Sequence, residues 1–127
     1  MNDRQCEVGQ SLVEFAVSVA LLILVFLGAF DLGRAFNTYI IVTNAAREGA
    51  YFGAMHPEQA AGVCARAVAE AAGSGISLTC ADVAISTSGL KGDPITVSVI
   101  HDFRLFSGVV PGVQTIRLRG TAEMVVY

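Results

Sequence analysis

Hydrophobic positions run almost unbroken near the start of the chain and alternate with polar ones near its end. Residues 12–30 carry one charge, Glu14, and from Phe15 to Phe30 the only polar side chain is Ser18. A helix of ~20 apolar residues crosses the ~30 Å hydrocarbon core, and it satisfies its own backbone there. The pattern predicts one transmembrane helix over 12–30. A secretory signal peptide would have a basic first region, a shorter apolar stretch and a small-residue cleavage site. Here Arg4 stands against Asp3 and Glu7, and no clean Ala-x-Ala follows the run. A buried core helix would need more surrounding core than the remaining residues supply. Arg4 before the span and Arg34 and Arg47 after it leave the positive-inside rule nearly silent on orientation.

The helical pattern continues past the span. No proline occurs before Pro57, and His56 is disfavoured in the α region because a proline follows it. A helix over 12–55 would be ~66 Å long at 1.5 Å per residue, so about half must project beyond the bilayer. Asp31 and Arg34, three apart, are expected to form an exposed pair of ~0.2–0.5 kcal/mol at the far interface. Two rows of small residues follow, Ala45, Gly49, Gly53 and Ala46, Ala50, Ala54, with a shorter pair at Ala29 and Gly33. Such rows let helices approach closely. They fit packing against other subunits or against this chain's own C-terminal part, and both readings stay open here. Gly49 and Gly53 also cost helix propensity, ~1 kcal/mol each, so a hinge there is a further option. Pro57 suits the first turn of a second helix, over 58–72, with Gly73-Ser74-Gly75 as its stop. Ala61, Ala65, Val68 and Ala72 fall on one face of it.

From Ile76 the period changes to two. Ile95, Val97, Val99, His101, Phe103 and Leu105 fall on one side, against Thr96, Ser98, Asp102 and Arg104, with Ile100 the apolar exception. Ile116, Leu118, Ala122, Met124 and Val126 repeat the pattern against Arg117, Arg119, Thr121 and Glu123. These are two half-buried strands. A third covers about 78–86, its phase flipping near Ala81-Asp82 at a turn or bulge. Residues 89–94 and 107–112 have turn composition. The expected fold class is α+β: a long N-terminal transmembrane helix, a short second helix and a small three-stranded antiparallel sheet whose apolar face the helices cover.

Composition sharpens the picture. The chain has 127 residues, 54% hydrophobic and 15% charged, against about 25% charged in a typical soluble domain. It is too apolar for disorder. A net charge of −3 argues against the basic patch of a nucleic-acid binder. Enzyme signatures are absent: no G-x-S-x-G, H-E-x-x-H or phosphate loop. His101 and Asp102 are neighbours on a strand and point to opposite faces, so His101 is expected as a satisfied inner-face residue and His56 as a helix-end residue. No cofactor, metal or small-molecule substrate is expected, and no catalytic residue.

Glu14 is the unusual position, a carboxylate about one turn into the apolar run. Near a helix end it can snorkel to the interface, but a charge inside a span is by default a functional candidate. The run Gly9-Gln10-Ser11-Leu12-Val13-Glu14-Phe15-Ala16 resembles the processing site of type IV pilin-like precursors, in which a prepilin peptidase cuts after a glycine and a glutamate stands fifth in the mature chain. Phe15 after the glutamate, and polar Gln10 as the new N-terminus, resemble the tight-adherence (Tad) branch. Asp31-Leu32-Gly33-Arg34-Ala35-Phe36 and Thr43-Asn44-Ala45-Ala46-Arg47-Glu48-Gly49-Ala50 are similar to the TadE-like family, which the sequence resembles over about 9–54. It departs from the pattern in a leader whose only basic residue is Arg4 and in Ala20, where many relatives have proline.

The resemblance implies a minor pilin or pseudopilin with a leader at 1–9, a long helix at 10–56 and an extracytoplasmic domain at 57–127. It implies the cytoplasmic membrane, with the N-terminus inside and the C-terminal domain outside, and possible incorporation into an extracellular pilus. Its partners would be membrane lipid, the prepilin peptidase, other pilin subunits and the assembly platform. Cleavage would free an amine at Gln10, on the same helix face as Glu14 four residues on. In the family's fibre this glutamate meets a neighbour's N-terminus; an intrachain pair is the alternative. Cleavage would also remove Cys6 and leave Cys64 and Cys80. A bridge between them would close a loop of ~15 residues worth about 3 kcal/mol, and it needs an oxidising compartment; two buried thiols are the alternative. The rivals are an uncleaved single-pass envelope protein with a partner-binding outer domain, and a type II secretion pseudopilin. Gln10 in place of Phe or Met argues against the latter.

Overall fold

The computed structural model describes residues 3–106, 108 and 112–127, with side chains from Gly9 onward. Helix α1 runs unbroken over Asp3–Met55, 53 residues and thus ~80 Å long. It starts seven residues before the expected Gln10 and passes through the Gly9-Gln10 bond. No hinge interrupts it at Gly49 or Gly53. The chain then turns through His56 and Pro57 into α2, Ala60–Gly73. A short 3-10 turn at Cys80–Asp82 leads into β1, Val83–Thr87, followed by β2, Pro94–Arg104, and β3, Thr115–Val125. The sheet is antiparallel in the order β1-β2-β3, with Val83 opposite Val99 and Val97 opposite Ala122. The long helix, short helix and three-stranded sheet make an α+β fold.

Two further starts differ from expectation. The second helix begins at Ala60, beyond Pro57 and Glu58, because Gln59 N–H closes a turn onto the His56 carbonyl before the helix begins. The first strand begins at Val83, because the Ala81-Asp82 phase change is the 3-10 turn itself. There the Thr79 amide and hydroxyl both donate to Asp82 Oδ2, each at 2.8 Å. These bonds to the ionised form hold the Asp82 carboxyl below its ordinary range, with a smaller contribution from nearby His101. The turn expected over 107–112 falls mostly outside the described residues.

The core lies between the second half of α1, α2 and the inner sheet face. Ile95, Val42, Val63, Val97 and Val99 are its largest fully buried side chains, each worth ~1.5–3 kcal/mol on burial. The buried face of α2 is Val63, Cys64, Ala67 and Ala71. The face of Ala61, Ala65, Val68 and Ala72 is turned away from the core, with only Val68 half-buried. In so alanine-rich a helix, periodicity does not single out a face. Here Val63 and Cys64 set it, Val63 against the α1 glycines and Cys64 toward Cys80. The α2 end is closed by Gly75 at φ +84° and by Ile76 N–H on the Ala71 carbonyl, the left-handed ending that glycine permits.

Both small-residue rows of the projecting half face this core. Ala45, Ala46, Ala50 and Ala54 are fully buried. A Cβ on Gly49 would touch the Val63 carbonyl and Val97, and one on Gly53 would meet Ile95 and Val63. The chain's own α2 and sheet are therefore what packs there, and the packing offsets the propensity cost of the glycines. Gly33 of the third pair has open space around it, and Ala29 is exposed. On the inner sheet face Gly120 meets α1 most closely, at Val42 and Thr43. The outer face is polar, with Ser98 Oγ 3.1 Å from Thr121 Oγ1 and Arg117 Nε 3.1 Å from Asp102 Oδ1.

Candidate functional site

The first half of α1 packs against nothing in the described chain. Gln10, Glu14 and Phe15 are exposed, with Leu21, Leu22, Ile23, Leu24, Val25 and Phe26 following them along the apolar run. This stretch is long and apolar enough to cross a membrane and is wholly unburied. Its polar side chains are handled locally: Ser18 Oγ donates to the Glu14 carbonyl at 2.9 Å. The Glu14 carboxylate makes no ion pair with another described residue. Glu14 is thus presented outward, one turn from Gln10.

The second candidate block does structural work. Asp31 is 3% exposed, a correction to the surface pair expected with Arg34. Its two carboxylate oxygens accept the Phe106 backbone N–H at 3.0 and 3.1 Å, and Arg34 Nη1 donates to Oδ1 at 3.2 Å. Arg34 also lies over the Phe103 ring, 5.0 Å from its centroid. The acidic residue after the apolar run thus fastens the far end of the β2-β3 hairpin to the helix. The hairpin end shields the carboxylate from water, so it is no surface pair. Gly33 lies on the open side of α1, with no neighbour within reach of an added Cβ.

The third block splits by face. Ala45, Ala46 and Gly49 are in the core. Glu48 pairs with Arg66 of α2 at 3.5 Å, and the Arg66 guanidinium lies 5.6 Å from the Phe52 ring centroid. Asn44 and Arg47 point away from the domain and line a shallow groove with Tyr39, Ile40 and Thr43. Cys64 and Cys80 stand at disulfide distance with Cα atoms 5.5 Å apart, tying α2 to the turn before β1. The Cys6 side chain lies outside the described residues. His101 is half-buried on the inner sheet face, and His56 stacks on Phe52 at the helix end with ring centroids 4.7 Å apart. No group of three potential metal-ligating side chains occurs among the described residues.

Two residues were missed by sequence reasoning. Gly120 interrupts an otherwise alternating strand, and a glycine inside a strand is a signal of close backbone approach. Gly62 admits the Phe52 ring where a Cβ would collide with it; nothing in the local pattern marks that position.

Two consequences can be measured. Asp31→Ala leaves the Phe106 N–H without its acceptor, and the expected loss is about 2 kcal/mol, the usual scale for a bond to a charged group. Asp31→Asn keeps an acceptor and should lose less. Urea unfolding of the detergent-solubilised chain reads both, and equal losses would contradict the role of the carboxylate oxygens. Replacing Cys64 and Cys80 by serine, or reducing them, should lower stability by about 3 kcal/mol. Unfolding midpoints with and without reductant check it; no difference would mean that the pair carries no constraint.

The architecture is an exposed apolar half-helix, long and apolar enough to cross a membrane, continuous with the spine of a small α+β head. Residues 9–50 match the family described as TadE-like protein. That stretch runs from the glycine before Gln10, through Glu14 and the Asp31 clasp, to the core alanines. No curated protein and no solved structure matches the chain. The match ends within α1 and leaves α2 and the sheet outside it.

Proposed function

We propose that this chain is a minor pilin or pseudopilin of a Tad-type pilus, used in assembling a fibre for adhesion or secretion. It is made as a precursor, inserted with its N-terminus inside and its head outside, and trimmed by a prepilin peptidase between Gly9 and Gln10. It is a substrate of that enzyme and not itself an enzyme. The observation that carries the proposal is the isolated Glu14, exposed one turn from Gln10 on an apolar half-helix that the head leaves bare.

The chemistry is direct. Cleavage frees an α-amine with a pKa near ~7.7–8.0 when unperturbed. In an apolar surrounding, that amine and a carboxylate are each heavily penalised alone and strongly attracted together. Glu14 of one subunit would take the Gln10 amine of the next, fix the register and help draw the helix out of the bilayer. An uncleaved envelope anchor would have no use for this element. The proposal is tested by shearing fibres from cells and probing them for this chain. It should be found in the sheared fraction when the peptidase is active and be retained in the membrane when it is inactive. Absence from fibres in both cases would overturn it.

A further inference from the structure

We infer that the open edge of β3 and the helix face beside it dock a second copy of this chain, antiparallel to the first across a twofold axis at Thr121. Among the described strands β3 is paired with β2 alone. It is an 11-residue edge without proline or lysine, the residues that usually blunt such edges. At the two ends of the β2-β3 ladder, and in its register, Leu105 N–H donates to the Gln114 carbonyl and Val126 N–H to the Asp93 carbonyl. Bonded and non-bonded pairs alternate along an antiparallel ladder, so the even-numbered residues of β3 turn their N–H and C=O groups to β2. Those of Arg117, Arg119, Thr121, Glu123 and Val125 are left at the open edge, where all five residues are exposed. No turn, loop or cap bond within the described chain takes them up.

Charge selects a second copy and sets its register. Centred on Thr121, the pairing puts each Arg119 opposite Glu123 of the other copy on the outer face, and each Leu118 opposite Met124 on the inner face. Centring on Arg119 or on Glu123 would set like charges face to face, which destabilises a sheet. Centring on Gly120 would send Glu123 to Arg117, which Asp102 already holds at 3.1 Å. Arg119 makes no ion pair among the described residues. The helix carries a matching palindrome. A Cβ at Gly120 would lie 2.7 Å from Thr43, so the axis passes Thr43 as well. Tyr39 and Arg47 stand four residues to either side of it and line one shallow groove with Ile40, Thr43 and Asn44. Across the axis each exposed Arg47 meets the Tyr39 ring of the other copy, a cation–π contact. β3 runs in the direction of α1, because the Phe106 amide before it is bonded to Asp31 and the Tyr127 amide after it to the Ala54 carbonyl. The twofold therefore inverts the second helix. The contact joins chains held on two facing membranes or fibres, not successive subunits of one fibre, and so would serve adhesion. That direction rests on the membrane-spanning reading of α1 and not on cleavage after Gly9.

Thr121→Cys is made in the full chain with Cys6→Ser, and Ser98→Cys, one strand in on the same outer face, is its control. Each purified protein is oxidised in mild detergent. Residues facing each other in a bonded pair have Cα atoms ~5.5 Å apart, within disulfide reach. Thr121→Cys should give a disulfide-linked dimer and Ser98→Cys a monomer. Without added cysteines, Glu123→Arg should weaken dimerisation roughly tenfold by sedimentation, and Arg119→Glu combined with Glu123→Arg should restore it. Phosphatidylcholine vesicles carrying the chain with heads outward should cluster with the wild type and the charge exchange, and stay apart with Glu123→Arg. A monomer from Thr121→Cys, or as much dimer from Ser98→Cys, would overturn the docking surface. A dimer indifferent to Glu123→Arg would overturn the proposed pairing. A dimer in detergent without vesicle clustering would overturn the opposed direction. None of these readouts depends on processing, so the pilin reading stands or falls separately.

Discussion

Gly120→Val is expected to cost about 3 kcal/mol or more and to loosen the sheet from the long helix. A Cβ at Gly120 would lie 2.7 Å from Thr43 Cα, Thr43 N and Val42 C, all of them backbone atoms of α1. Overpacking a core usually costs 1–3 kcal/mol because neighbouring side chains move aside. A helix backbone cannot do so without displacing the sheet. Against a typical domain stability of about 5–15 kcal/mol the loss is large. Gly53→Ala is the comparison: its Cβ would meet the side-chain tips of Ile95 and Val63, which can rotate. Its cost should be well below that of Gly120→Val. Urea midpoints of the two variants check this, and equal losses would contradict so close a contact between helix and sheet.

The second large effect is functional. Glu14→Ala should leave membrane insertion intact, since it removes a charge from an apolar stretch, and should remove the subunit from the fibre fraction. Leaving the Gln10 amine unpaired in an apolar contact costs on the scale of ~3–5 kcal/mol, or roughly two to four orders of magnitude in association. Glu14→Gln keeps the size and loses the charge, so it should fail similarly. Wild-type levels of either variant in sheared fibres would remove Glu14 from the assembly step.

Much of the architecture is legible in the residues. The nineteen positions 12–30, with Glu14 their single charge, are visible without any structure. The alternation from Ile95 to Phe103 places β2 with its inner face correct, because a half-buried strand writes its period directly into the chain. The Ala81-Asp82 phase change is the turn before β1. What was not legible depends on distance. Asp31 meets Phe106 across 75 residues, and no local pattern distinguishes a carboxylate that caps a hairpin from one that pairs with the nearby Arg34. The small rows were ambiguous for the same reason: Ala46 and Ala50 show that something packs closely, not which chain supplies it. In α2, alanine on nearly every face left periodicity without a direction.

The candidate site divides likewise. Glu14 could be picked out because a carboxylate in an apolar run is costly and therefore conspicuous, whereas Gly9 and Gln10 stood out only through the resemblance to pilin-like precursors. Of the later blocks, Asp31, Arg34, Ala45, Ala46, Glu48 and Gly49 hold the head onto the helix. Asn44 and Arg47 in the third block are turned outward. The segment matched to the TadE-like family thus combines a bare N-terminal half with the seam on which the head folds.

The proposed maturation is best tested by the intact mass and N-terminal sequence of the protein purified from its own membrane, with an active prepilin peptidase present. A chain that starts at Gln10 would place Glu14 fifth and remove Cys6, leaving Cys64 and Cys80 as the remaining cysteines. A chain that still starts at Met1 would contradict processing, and an uncleaved single-pass envelope protein would take its place.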